Sequence, residues 1–150
     1  ANYGDAGADT AQYTVAHLSQ RTLSLTTRLN WTASPTLSLQ LYAQPFITGG
    51  DYSDWRAVTD PRNRSYADQF SPFTSRGSDP GGFNFKQFRS NSVLRWEYRP
   101  GSTLFLVWQQ GRTQSHLDAG SFDAGRDARN LFRAHPDNTL LVKASYWFSL

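Results

Sequence analysis

Hydrophobic and polar positions alternate with a period of two in several separated stretches of the chain, the spacing that sends successive side chains to opposite faces of a strand. In residues 22–32, TLSLTTRLNWT, Leu23, Leu25, Leu29 and Trp31 share one parity, with Ser24, Arg28 and Asn30 on the other. Residues 36–47 repeat the pattern with Leu37, Leu39, Leu41, Ala43 and Ile47 against Ser38, Gln40 and Gln44. The connection between them, ASPT, holds Pro35 and predicts a tight hairpin.

Periodicity is lost over residues 49–87, where Gly, Asp, Ser, Pro and isolated aromatics predict a long loop. It returns in residues 88–99, with Leu94, Trp96 and Tyr98 opposite Arg89, Asn91, Arg95, Glu97 and Arg99. The tetrad RPGS places Pro100 and Gly101 as a type II turn requires. A strand over 102–112 follows, then a second long loop over 113–137 with one or two helical turns around residues 126–134. The last stretch, 138–150, carries Leu140, Val142, Ala144, Tyr146, Phe148 and Leu150 in one apolar row.

These elements predict an all-β fold, an antiparallel up-and-down meander forming a single segment over residues 1–150. Its five strands lie at about 13–32, 36–48, 88–99, 102–112 and 138–150, with a sixth if residues 11–20 stand alone.

Alternation alone does not separate a soluble barrel or sandwich from a membrane barrel. Three features favour the membrane. The connections alternate between tight and long, as in outer-membrane barrels with short periplasmic turns and long extracellular loops. Trp31, Trp96, Tyr98, Tyr146 and Phe148 gather at the tight-turn end, where an interfacial aromatic girdle belongs. The closing row resembles the C-terminal signal read by the barrel-assembly machinery, although that signal usually ends in Phe and this chain ends in Leu150. Arginine facing lipid at mid-membrane costs about 2–4 kcal/mol. Arg28, Arg89, Arg95, Glu97, Arg99 and Lys143, all of the opposite parity, are therefore expected to face a polar lumen, with Glu97 paired to an arginine across strands.

Composition strengthens this picture. The chain has 22 aromatic residues (Trp 5, Tyr 7, Phe 10) but only two lysines, Lys86 and Lys143, and one glutamate, Glu97. Soluble surfaces are normally rich in Lys and Glu, so their scarcity points to a surface that is not all in water. The net charge of +3 is spread along the chain, which argues against a nucleic-acid partner. No cysteine is present, no apolar run is long enough for a transmembrane helix, and no signal peptide is visible.

The segments HLSQRTLSLTTRLNWTASPTLSLQLYAQPFITGGDYSDW, NSVLRWEYRPGSTLFLVWQQGR and FDAGRDARNLFRAHPDNTLLVKASYWFSL resemble the C-terminal region of an uncharacterised bacterial surface-protein family. Its members join an N-terminal family-9-like carbohydrate-binding module to a C-terminal barrel distantly similar to TonB-dependent receptors. The resemblance implies a bacterial outer-membrane location, with the long loops outside the cell, and no settled activity.

No enzyme motif is found, and no cofactor is expected. His17, His116 and His135 lack metal-ligand spacing. Asp51, Asp54, Asp118, Asp123 and Asp127 are read as turn formers in preference to calcium ligands. Tyr52 and Trp55 in the first loop are candidates for stacking on glycans, against the alternative of packing the loop on itself. Arg129, Leu131 and Phe132 describe a short amphipathic lid or a self-packed segment.

A single-chain barrel needs about eight strands, so five are expected to be completed by strands from another polypeptide or from upstream sequence. The Gly- and Asp-rich residues 1–10 then lie outside the cell as a cleavable loop tip, and the chain is read as a fragment. Outer-membrane lipid and the barrel-assembly machinery are the further partners. The expected role is a structural or transport-associated barrel segment. The alternative is a soluble β-sandwich or barrel that binds carbohydrate through loop aromatics.

Overall fold

The alternating stretches form strands of one antiparallel sheet in a computed structural model that describes residues 13–73, 81–115 and 118–148. The expectations for residues 1–10, His116 and Leu150 lie outside the described residues. Strands β1 (Thr14–Ser24) and β2 (Thr27–Ser34) run end to end along one edge, and both pair with β3 (Leu37–Val58). Short β4 (Phe70–Pro72) pairs with the far end of β3. Strands β5 (Phe83–Arg99), β6 (Ser102–Ser115) and β7 (Asp137–Ser145) then follow in order, with helix α1 (Ala124–Arg133) between β6 and β7. The sheet is all antiparallel and open, with β1 and β2 at one edge and β7 at the other.

The expected first strand, 13–32, is broken at Leu25 and Thr26. This break stands opposite Pro45, which has no N–H to give to the ladder. The Pro45 carbonyl still accepts a hydrogen bond from the Leu25 N–H at 3.1 Å, so the two halves stay in line. The tight β5–β6 turn has Gly101 at φ +76°, the left-handed value that a type II turn requires of its third residue.

Both ends of the loop expected over 49–87 are strand. β3 continues to Val58, β4 adds a third partner, and β5 begins at Phe83. The apolar phase inverts along these strands, which hides them from a search for amphipathic alternation. Near the tight turns Leu39 and Leu94 occupy one face; farther up, Phe46, Phe83 and Phe85 occupy the other. The second loop is shorter than expected, because β6 runs to Ser115 and α1 fills residues 124–133. The last strand stops at Ser145, short of the expected end: the ladder with β6 ends at the Thr103–Ser145 pair, and beyond it the Trp147 N–H donates to the Ser102 hydroxyl at 3.0 Å.

Helix α1 starts where the Asp123 carboxylate accepts from the Arg126 N–H at 2.7 Å, and it stops before Pro136. Its inward face buries Asp127 and Leu131, four residues apart. Among the described residues the buried apolar side chains are Ile47, Ala57 and Leu131 alone, so this sheet has no core in the ordinary sense.

Candidate functional site: two faces of one sheet

Directly paired residues of an antiparallel sheet share a face, so the register sorts every side chain. One lateral row reads Trp31, Leu39, Leu94, Leu106 and Val142, and the next reads Leu29, Leu41, Ser92, Trp108 and Leu140. A third, nearer the tight turns, reads Leu37, Trp96, Leu104 and Ala144. These rows form a continuous apolar band. Leu29, Trp31, Trp96, Trp108, Leu140 and Val142 are 47% to 70% exposed within it.

The opposite face carries the row Arg28, Tyr42, Asn91, Gln109 and Thr139 across the whole sheet. Arg89 lies beside Gln44, and Arg95 lines up with Ser38, Phe105 and Lys143. Glu97 pairs with Thr103 on the same face. The register thus brings together Arg28, Arg89, Arg95, Glu97 and Lys143. A shallow cleft forms among Arg28, Asn30, Gln40, Tyr42 and Asn91. The Arg28 guanidinium stands 5.6 Å from the centre of the Tyr42 ring, and the buried Asn91 Oδ1 has no hydrogen-bond partner.

Two expectations for this face need correction. Glu97 pairs with Arg95 of its own strand, at 3.3 Å, and not with an arginine across strands. A register shift between Glu97 and Arg99 sets Arg99 opposite Ser102, on the parity of Leu104. Arg99 therefore leaves the polar row and donates to the Tyr146 hydroxyl at 2.9 Å. The bulge supplies the reason, since one extra residue reverses the facing of all that follow.

The aromatics expected at the tight-turn end do meet in part. Trp96 and Tyr98 pack edge to face with centroids 6.0 Å apart, and the Tyr98 hydroxyl donates to the Ser145 carbonyl. Tyr146 and Phe148 lie past the end of β7, with ring centroids 4.6 Å apart. Trp31 sits one row higher, beside Leu39.

At the other end, Asp54 adopts φ +53° where β3 bulges against β1, and its carboxylate holds Arg56 at 2.7 Å. The bulge lets Tyr52 and Trp55 touch, with centroids 5.8 Å apart, while Tyr52 also meets Phe83 at 6.3 Å. These two rings are engaged with each other and with the sheet.

Sequence reasoning missed the ion-pair cluster under α1. Lys86 of β5 is fully buried, with Nζ 3.4 Å from Asp127 and 3.8 Å from Asp118. Asn84 donates to Asp127 at 3.2 Å and to the Ser121 carbonyl at 2.8 Å. Burial works to raise the Asp127 pKa, but hydrogen bonds from the Asp123 N–H, Asn84 and Arg126, joined by the charge of Lys86, outweigh it and hold the carboxyl below its ordinary range. Asp127 is thus a buried partner and not a turn former. Asp118, at φ +62°, and Asp123, the helix cap, do serve local chain reversal. The only signal in the sequence was one of two lysines standing in the aromatic run FNFKQF.

The register also places α1. Asn84, Lys86 and Phe88 share the parity of Leu94 and Trp96, so the helix covers the upper part of the apolar face. It is not a lid over the polar face. A Cβ on Gly49 would stand 2.7 Å from the Ser121 carbonyl oxygen, so the segment leading into α1 seats directly on the backbone of β3. Arg112 donates to the Phe132 and Ala134 carbonyls and fixes the lower end of the helix.

Among the described residues no group of three or more His, Cys, Asp or Glu side chains is placed to hold a metal, and no helix is long and apolar enough to cross a membrane. No curated protein and no solved structure shows a significant match to the chain. A family model described as Domain of unknown function (DUF5916) matches residues 2–149, and the chain belongs to that family.

Proposed function

We propose that this chain builds part of the wall of a bacterial outer-membrane β-barrel, with a structural or transport-associated role. The apolar band faces acyl chains and the Arg28-to-Lys143 face lines an aqueous lumen. One observation carries the reading: an apolar band spans the sheet while three apolar side chains are buried among the described residues. Burying a large apolar side chain contributes about 1.5–3 kcal/mol, so so small a core does not hold a sheet of this size in water. An apolar surrounding lends the missing stabilisation.

Strand length is consistent with this. About 9–11 residues cross a bilayer as a tilted strand, and β3 and β5 have 22 and 17. Their lower ends carry the three apolar rows, residues 37–41 of β3, and the rest of each strand extends beyond them toward the extracellular side. Both open edges must be paired in hydrocarbon, because each unsatisfied backbone group there costs several kcal/mol. Strands from upstream sequence or another polypeptide complete the ladder, with the barrel-assembly machinery as the partner in biogenesis. The resemblance to a family that couples a carbohydrate-binding module to a barrel like that of TonB-dependent receptors supports a surface role connected with glycans.

Fractionation of cells expressing the full chain tests the reading. The protein is expected in the outer membrane, released by detergent and not by salt or carbonate. Recovery as a monomer in detergent-free buffer overturns the barrel and favours the soluble carbohydrate-binding alternative through Tyr52 and Trp55.

A further inference from the structure

The lower end of α1 occupies a particular height on the sheet. The apolar rows end at Leu29, Leu41, Trp108 and Leu140; a row of Thr27, Ala43, Ser90, Gln110 and Asn138, polar in all but Ala43, follows. The Trp108 ring N–H donates to Asn138 at 3.0 Å, as an indole at an interface turns its polar edge to water. Directly above stand Phe88 and Arg112, which hold Phe132 and the end of the helix. Arg112 lies four residues up β6 from Trp108, about 14 Å at about 3.4 Å per residue. With the tilt of a barrel strand this is about 10 Å along the membrane normal, just above the apolar band.

In its second half α1 leaves Arg129, Phe132 and Arg133 exposed. Phe132 is 52% exposed, and both arginines are exposed with no ion pair among the described residues. By contrast Arg126, one turn earlier, is tied to Asp118 and Asp127. A half-exposed ring beside two unpaired guanidinium groups, next to an apolar surface, is the pattern of an interfacial helix that meets phosphate. We propose that the last turn of α1 is an external membrane anchor that binds the phosphate groups of anionic lipid headgroups through Arg129 and Arg133, with Phe132 dipping into the interface. This rests on the barrel reading above. Charge complementarity selects the partner: guanidinium pairs bind phosphate oxygens in a bidentate manner, and a zwitterionic headgroup offers no net charge to match.

Because the chain contains no cysteine, single cysteines label cleanly. The full-length protein, its other segments also freed of cysteine, is labelled with bimane at Phe132→Cys, at Leu106→Cys in the apolar band, or at Arg89→Cys on the polar face. Each is reconstituted in phosphatidylcholine vesicles containing brominated phosphatidylcholine or brominated phosphatidylglycerol. The expected result is quenching at 106 by both lipids, little at 89, and several-fold stronger association of phosphatidylglycerol than phosphatidylcholine at 132. At about a factor of five per arginine, the preference has a ceiling of about twenty-fivefold. Arg129→Gln with Arg133→Gln is expected to bring the ratio to one without changing quenching at 106. Equal quenching by the two lipids at 132, or none there while 106 is quenched, overturns the anchor and leaves the barrel standing. No quenching at 106 overturns the barrel itself.

Discussion

Lys86 Nζ lies 3.4 Å from Asp127 Oδ1, with both side chains wholly excluded from solvent between β5 and α1. A pair of this kind is costly to break from one side, because the survivor stays charged in a dry site with one opposite charge fewer beside it. Lys86→Met or Asp127→Asn alone is therefore expected to weaken α1 docking by about 3–5 kcal/mol, and Lys86→Met with Asp127→Leu to recover part of that loss. Hydrogen exchange of the α1 amides in the reconstituted protein measures the opening. Equal protection in wild type and single variants would show that the pair does not hold the helix.

The same carboxylate sets an acid limit. Its pKa is depressed in the folded protein from an ordinary value of 3.8, so its stabilisation is complete above that value and disappears as pH falls through the lower folded one. Helix α1 is expected to stay docked at pH 4 and to loosen only in stronger acid. A nitroxide on Gly125→Cys reports this as increased mobility, and Asp127→Asn removes that pH-dependent step.

A side chain at position 49 has nowhere to go, since its Cβ meets the backbone of residue 121. Gly49→Val is expected to lift the segment before α1 and expose it to protease. Gly111→Val, where nothing lies within 4 Å of a Cβ, is the control and is expected to remain resistant.

The two faces predict opposite tolerances to charge. Leu106→Arg on the apolar band is expected to destabilise the protein in bilayers by about 2–4 kcal/mol. Gln109→Arg, in the row of Arg28 and Tyr42, is expected to change stability by less than about 0.5 kcal/mol, the usual range for unconstrained surface positions. Denaturant unfolding of vesicle-embedded protein compares them. Similar losses in both variants would reverse or abolish the assignment of faces.

Period two by itself settled where the chain forms strands near the tight turns and which side chains share a face there, because a pleated backbone leaves no choice once alternation is set. Pro100 and Gly101 likewise fixed their turn through φ alone. Tertiary contacts decided what lies beyond. The upper halves of β3 and β5 are strands because neighbours pair with them, although Phe46, Phe83 and Phe85 reverse the apolar phase and erase the signal. Arg99 joined Tyr146 because a bulge shifted the register by one, a backbone event that residue types do not encode locally. The burial of Lys86 depended on a helix far along the chain arriving with Asp127, and no window of sequence contains both partners.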